Sequence, residues 1–166
     1  MSRGFFRIVV LLLLAALGGA AALWWPTETR RINRMFEQLA ADASFRPAEG
    51  NLSRLAKVQA IANRFTPDAT IRFETLGVSE REVTGRDEIR GVAMLSQNLA
   101  QGLEVKIFDQ DVTFGTQPGT ARVNLTATAM SGKQEAFNAQ EFLFQLVKRE
   151  GKWFIQSAET VKTLRH

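Results

Sequence analysis

The most apolar stretch of the chain lies near its amino end. An uncharged run extends from Ile8 to Trp25, and Pro26 follows it as a residue that ends a helix. In helical form the run is about 27 Å long, which is enough to cross one bilayer. The residues at its two ends are typical of membrane interfaces: Arg3, Arg7, Trp24 and Trp25. The pattern predicts a transmembrane anchor or signal-anchor at residues 1–26.

A cleaved signal peptide is the alternative interpretation of the same stretch. It would have a basic start, an apolar core at residues 8–17 and a small-residue cleavage site at Ala20 to Ala22. The uncleaved anchor is favoured because the apolar stretch continues past the alanines to the tryptophan pair. Basic residues before the run favour a cytoplasmic amino end, although Arg30, Arg31 and Arg34 weaken that bias. We therefore expect a single-pass protein of the inner membrane with a periplasmic carboxyl-terminal domain.

Beyond the anchor, apolar residues recur at steps of three and four, which is the period of a helix with one buried face. Three segments show this period: residues 27–43, 52–65 and 86–101. The first of them, together with the linker that follows it, forms a predicted juxtamembrane segment at 27–50. The second begins a predicted domain at 51–166, where Asn51 or Ser53 is expected to cap the helix.

The period then changes to the alternation of half-buried strands. Strands are predicted at residues 69–74, 103–114, 121–130 and 135–148 and from 153 onward, with a short extended piece near 82–84. The alternation shifts phase across Asp109, Gln110 and Asp111, which predicts a β-bulge or bend there. Helices first and adjacent strands afterwards predict an α+β domain, with three helices packed on one face of a curved antiparallel sheet.

The amino-acid composition lacks most of the side chains on which common catalytic and metal sites depend. The 166 residues include no cysteine and no tyrosine, and the one histidine is His166. Disulfides, thiolate metal sites and cysteine nucleophiles are therefore excluded, and any histidine catalysis would depend on that terminal residue. The net charge is +4, with 21 basic and 17 acidic residues interleaved along the chain. This balance argues against nucleic acid as a partner, and we expect neither a metal nor a cofactor.

Three short motifs mark a resemblance to a known superfamily. They are Phe65-Thr66-Pro67-Asp68-Ala69 where the second helix meets the first strand, Val83-Thr84-Gly85-Arg86-Asp87-Glu88-Ile89 at the start of the third helix, and Gly151-Lys152-Trp153-Phe154-Ile155 at the last hairpin. With the order of elements, they make the segment from Leu52 to Leu164 resemble the nuclear transport factor 2-like superfamily. This superfamily includes SnoaL-like cyclases, ketosteroid isomerases and scytalone dehydratases.

The resemblance implies a cone fold, in which the bent sheet and the helices enclose a pocket. It also implies a homodimer through the open face of the sheet. It does not bring an active site with it, because the enzymes of this superfamily depend on tyrosine, or on histidine with a tyrosine or an aspartate. The chain lacks tyrosine and has histidine only at its end. The catalytic residues therefore stay unknown, and a binding role is favoured over an enzymatic one.

Polar residues on the predicted strands are the candidates for a ligand pocket. Depending on register, five of them could reach its wall: Arg72, Asn124, Gln140, Glu141 and Glu159. Asp109 and Asp111 would share one strand face and could act as an acid-base pair, but a solvated bend is the favoured interpretation. The acidic residues that follow Arg86 are interpreted as ordinary helix capping.

Two functions follow from these observations. The favoured one is a membrane-anchored, non-catalytic module that binds a small apolar ligand or a protein partner and takes part in assembly. The alternative is an isomerase, dehydratase or cyclase that uses a carboxylate as base on a small hydrophobic substrate.

Overall fold

The structure is a computed structural model that describes residues 27–75, 78–99, 102–131 and 137–161. The predicted anchor at residues 1–26, with Arg3, Arg7, Trp24 and Trp25, lies outside the described residues. Within the described ranges, no helix combines the length and the apolar character that a bilayer crossing requires. The chain divides into two compact units between Arg34 and Met35, and the sheet with its cavity belongs to the second unit.

In the described part of the chain, three helices precede or interrupt the sheet. Residues 27–43 are helical and form α1, α2 extends from Asn51 to Ala62, and α3 extends from Arg86 to Leu99. The helices predicted at these positions are thereby confirmed, although the second ends three residues earlier than the pattern indicated. α3 carries Asp87 and Glu88 in its first turn, in keeping with the capping interpretation.

The predicted cap of α2 is wrong. Gly50 is the N-cap residue and no side chain caps the helix, because the Ser53 hydroxyl instead donates to the Glu49 carboxylate at 2.5 Å. The Lys57 ammonium lies 2.8 Å from the same carboxylate. These two hydrogen bonds, with that from Lys57 the stronger influence, lower the pKa of Glu49 to about 2. The loop before α2 is therefore held by a charged contact across the first turns of the helix.

Six strands form one sheet. They are β1 Phe65–Thr75, β2 Val78–Thr84, β3 Glu104–Phe114, β4 Thr120–Met130, β5 Phe137–Arg149 and β6 Lys152–Thr160. Their order across the sheet is β2-β1-β6-β5-β4-β3. Each neighbouring pair is antiparallel except β1 with β6, which is parallel and corrects the prediction of a wholly antiparallel sheet. Side-chain alternation indicates which face is buried and carries no information on strand direction, so the sequence could not show this.

Two irregularities bend the strands. The β3–β4 register shifts between Phe108 and Asp111, and Asp109 has a φ of 50°, which confirms the predicted bulge. The first strand was predicted to begin at residue 69, yet β1 begins at Phe65 and includes Pro67. The register of β1 with β6 shifts between Phe65 and Thr70, so the proline, which lacks an N–H, lies where the ladder is interrupted.

The core lies on the face of the sheet that carries the predicted apolar alternation. On β4, Ala121, Val123 and Leu125 are buried whereas Arg122 and Asn124 between them are exposed. Val123 and Phe144 are opposite each other on β4 and β5. This confirms the predicted alternation along β4, and it defines an inner, apolar face and an outer, polar face of the sheet.

Candidate functional site

A cavity of about 330 Å³, the inner cavity, lies against the inner face of the sheet. Its wall is almost wholly apolar, with contributions from α1, α3 and the strands. The large side chains in the wall include Phe36, Leu39, Phe65, Ile71, Phe73, Ile89, Val92, Leu125, Phe142 and Phe144. An enclosure of this size and lining is typical of a site for a small hydrophobic molecule.

The inner cavity exists because small residues stand where larger ones would fill the core. Ala40 and Ala43 on α1, Ala93 on α3 and Ala127 on β4 all line it. Protein interiors normally pack without voids larger than a water molecule, so a cluster of alanines facing one space leaves volume that the neighbouring side chains do not occupy. The cavity therefore follows from residue size at specific inward positions.

Two polar side chains lie in this wall, both on α3. The Ser96 hydroxyl donates to the Val92 carbonyl at 2.9 Å. Gln97 is 6% exposed, and its amide nitrogen Nε2 is buried without a hydrogen-bond partner among the described residues. A buried donor left unpaired typically costs about 1–3 kcal/mol of stability. The site is thus an apolar cavity, and the unpaired Gln97 nitrogen near it is buried in the protein and is not open to the cavity.

The lining contains no acid-base group. Among the residues that the structure describes, no Asp, Glu, Lys, Arg or His lines the inner cavity. The described part of the chain also holds no group of three acidic or histidine side chains arranged to bind a metal ion. The expectation that the protein uses neither metal nor cofactor stays a prediction.

Two of the five sequence candidates meet on the outer face of the sheet. Arg72 and Glu159 are register partners on β1 and β6 and line a polar depression of about 310 Å³. The Arg72 guanidinium donates from Nε to Glu82 at 2.8 Å, and this hydrogen bond lowers the pKa of the Glu82 carboxyl. Arg72 and Glu82 are both about half exposed, so the pair contributes little to stability.

The other three candidates, Asn124, Gln140 and Glu141, do not line that depression. Asn124 is exposed and lines a separate depression of about 450 Å³ with Arg122. The Gln140 amide donates to the backbone carbonyls of Glu141 at 3.1 Å and Val161 at 3.0 Å, so it holds the end of the sheet. None of the five sequence candidates lines the inner cavity. Their role as ligand groups, and the homodimer through the outer face, stay predictions.

Gln97 is the site residue that the sequence analysis missed. It stands four and eight residues after Ala93 and Ile89, and all three line the inner cavity from one side of α3. The signal was therefore a glutamine at an inward position of an amphipathic helix. The helix pattern was followed instead through Ser96 and Leu99, and Ser96 also lines the inner cavity although its side chain is partly open to solvent.

The six-stranded sheet, its three helices and the apolar cavity define an α+β domain with the nuclear transport factor 2-like cone fold. The model of the SnoaL-like domain matches residues 55–159, and the chain belongs to this family. No curated protein sequence matches the chain significantly. The resemblance seen in the sequence is thereby confirmed for the domain.

Solved structures share the fold at low identity. An NTF2-like protein with a cystatin-like fold from Novosphingobium aromaticivorans has a TM-score of 0.66 and 14% identity, over 85% of each chain. A candidate scytalone dehydratase from the same species has a TM-score of 0.65 and 17% identity, over 84% of this chain and 89% of the other. A protein of unknown function from Mycobacterium tuberculosis has a TM-score of 0.65 and 15% identity, over 89% and 78%. At these identities the likeness shows the fold alone.

Proposed function

We propose that the domain binds a small apolar molecule in the inner cavity and holds it without converting it. The observation that carries this proposal is the lining itself: an open space of about 330 Å³ whose wall is apolar except for Ser96 and Gln97. Burial of apolar ligand surface contributes about 25 cal/mol per Å², so such a wall binds a hydrophobic molecule without any charged contact.

The alternative, a carboxylate-dependent isomerase, dehydratase or cyclase, requires a base within hydrogen-bond reach of the bound substrate. No described residue of the lining is a carboxylate or a histidine. The carboxylates among the sequence candidates are Glu141 and Glu159, and of these Glu159 lines the outer depression. Scytalone dehydratase is the name given to one of the similar structures, and it is not evidence that this chain contains a catalytic base. The lining therefore favours binding over catalysis.

The proposal includes the membrane anchor at residues 1–26. Its support is the uncharged run from Ile8 to Trp25, with arginines before it and a tryptophan pair at its end. Apolar ligands concentrate in bilayers, so an anchored cavity would exchange its ligand with the membrane at short range. We place the binding domain on the periplasmic side of the inner membrane.

The anchor predicts an intact amino end in the mature protein. Mass spectrometry of the full chain, isolated from the membrane fraction of the cells that produce it, is expected to show the mass with residues 1–26 retained. A mature amino terminus at or after Leu23 would contradict the anchor and identify a cleaved signal peptide.

Replacement of Ala93 by phenylalanine is expected to abolish ligand binding. Ala93 lines the inner cavity from α3, and a phenyl ring there would occupy the space that the ligand needs. We expect the affinity for the apolar fluorophore N-phenyl-1-naphthylamine to fall about 100-fold or more, since the lost contacts are those of a whole ring. The measurement is fluorescence titration of the full chain held in peptidiscs, which avoid detergent that could itself enter the cavity.

The matched control is Ala56→Phe. Ala56 is exposed on α2 and does not line the inner cavity, so the same added ring should leave the affinity unchanged. Circular dichroism establishes that both variants are folded. Equal binding by wild type and Ala93→Phe would place the fluorophore elsewhere and overturn the proposed function.

A further inference from the structure

Apolar side chains line the inner cavity from every described element that borders it. They include Leu39 on α1, Val92 on α3, Ile107 on β3 and Phe142 on β5, and no described residue of the wall carries a charge. Transfer of a charge from water into such surroundings costs far more than transfer of a neutral group of the same shape. The charge of a ligand is therefore the property that this wall is best suited to discriminate.

The polar side chains of the described wall are not available to balance a charge. The Ser96 hydroxyl already donates its hydrogen to the Val92 carbonyl at 2.9 Å. The Gln97 amide nitrogen is buried in the protein and is not open to the cavity. An anion would therefore find no free side-chain donor in the described wall unless the Ser96 hydroxyl gave up its present hydrogen bond.

Two arginines contact residues of the wall but do not line the inner cavity themselves. The Arg54 guanidinium lies over the Phe45 ring, 4.8 Å from its centroid. The Arg86 guanidinium donates to the Phe65 carbonyl from Nε at 3.1 Å and from Nη2 at 2.6 Å. Since neither arginine lines the cavity, neither would pair directly with an anion inside it.

An ion pair in a neighbouring groove is also separate from the cavity lining. The groove has a volume of about 970 Å³, shares Phe45 with the inner cavity and is lined by Glu49 and Lys57. The Lys57 ammonium lies 2.8 Å from the Glu49 carboxylate, and this contact is the main cause that lowers the pKa of Glu49 to about 2. Glu49 therefore stays ionised around neutral pH and does not add a titration of its own to ligand binding.

We propose that the inner cavity selects its ligand by charge state: it binds uncharged molecules, and it binds a weak organic acid such as a phenol only in the protonated form. This inference rests on the proposed function and adds the chemical class of the ligand and a dependence on pH. As the pH rises through the pKa of the acid, the neutral form is depleted, so the bound fraction falls. A molecule that carries a permanent charge is excluded.

The test compares two probes of nearly the same shape. The first is 2,4,5-trichlorophenol, which ionises near neutral pH, and the second is 2,4,5-trichlorotoluene, which has a methyl group in place of the hydroxyl and does not ionise. Both are titrated against N-phenyl-1-naphthylamine bound to the full chain in peptidiscs. Above the pKa of the phenol we expect its affinity to fall about tenfold for each pH unit, with the neutral form bound about 100-fold or more tightly than the phenolate. The affinity of the toluene should stay constant over the same range.

Ultraviolet absorption gives a second measure, because the phenolate absorbs at a longer wavelength than the phenol. At neutral pH, addition of the wild-type chain should convert phenolate into bound phenol and reduce the phenolate band. Ala93→Phe, in which the new ring fills the cavity, should leave the band unchanged. Ala56→Phe is the matched control, because Ala56 is exposed on α2, and it should reduce the band as the wild type does. Since the two variants are held in identical peptidiscs, their difference excludes uptake of the phenol by the peptidisc itself.

The outcomes separate this inference from the proposed function. Equal affinity for phenol and phenolate, or tighter binding of the phenolate, would overturn selection by charge and leave the proposed function standing, because the toluene would still bind. Displacement of the fluorophore by neither compound would overturn the proposed function and this inference with it. A phenolate band that Ala93→Phe reduces as strongly as the wild type does would also overturn both, since the phenol would then be bound outside the inner cavity.

Discussion

Replacing Phe36 with alanine is expected to lower the free energy of unfolding by about 3–5 kcal/mol. Phe36 is fully buried on α1, and its ring lies edge-on against Phe144 with the centroids 4.8 Å apart. The loss includes the transfer of the ring from water, its contact with the second aromatic ring and the new empty volume. Because the inner cavity already borders Phe36, no neighbouring side chain is packed to fill the space, and the cost should lie toward the upper end.

Thermal unfolding of the full chain, followed by far-ultraviolet circular dichroism, measures this effect. Glu37→Ala is the control on the same helix: Glu37 is exposed, and its truncation should change the stability by less than about 0.5 kcal/mol. A loss below about 1 kcal/mol in Phe36→Ala would mean that α1 does not contribute its ring to the core. The description of the cavity wall would then be wrong at that position.

Local features of this fold were predictable because local physics determines them. The alternation of Ala121, Val123 and Leu125 with Arg122 and Asn124 predicted the two faces of β4, since successive side chains on a strand point to opposite sides. The phase shift at Asp109 predicted the bulge, because an extra residue is the way a strand changes phase without ending. In both cases the information lies within a few consecutive residues.

Features that depend on distant segments were not predictable in this way. The parallel pairing of β1 with β6 joins segments far apart in the chain, and no local pattern records strand direction. The entry of Pro67 into β1 depends on an interruption of the ladder with β6, which exists only in the folded sheet. The sequence pattern placed Pro67 between the second helix and the first strand, whereas the folded sheet includes it in β1.

In the candidate site, too, some features follow from the local sequence and others depend on how distant segments pack. Polar and apolar residues alternate on the strands. The register places Asn124 on the outer face, so the inner cavity is lined by the apolar residues of the alternation. Gln97 lines the inner cavity, but which side chains of α3 do so is decided only when the helix is packed against the sheet. The sequence therefore predicted the fold class, whereas its pocket candidates were all polar and the lining of the inner cavity is almost wholly apolar.

The largest effect on stability is expected from Val123→Asp. Val123 is fully buried at the centre of β4, opposite Phe144. An aspartate there must either carry an unpaired charge in an apolar interior or take up a proton at a cost in free energy. We expect a loss of more than about 4 kcal/mol, which is enough to prevent stable folding at neutral pH.

Asn124→Asp tests the register by the same chemistry one residue further along. Asn124 is exposed on the outer face, near Arg122 on the same strand, so a carboxylate there stays hydrated and should change the stability by less than about 0.5 kcal/mol. Circular dichroism and thermal unfolding of the two variants provide the comparison. A slip of β4 by one residue would exchange the two results, because it would turn position 124 inward and position 123 outward. Since the same slip would turn Asn124 toward the inner face, this pair of variants also decides on which face of the sheet that sequence candidate lies.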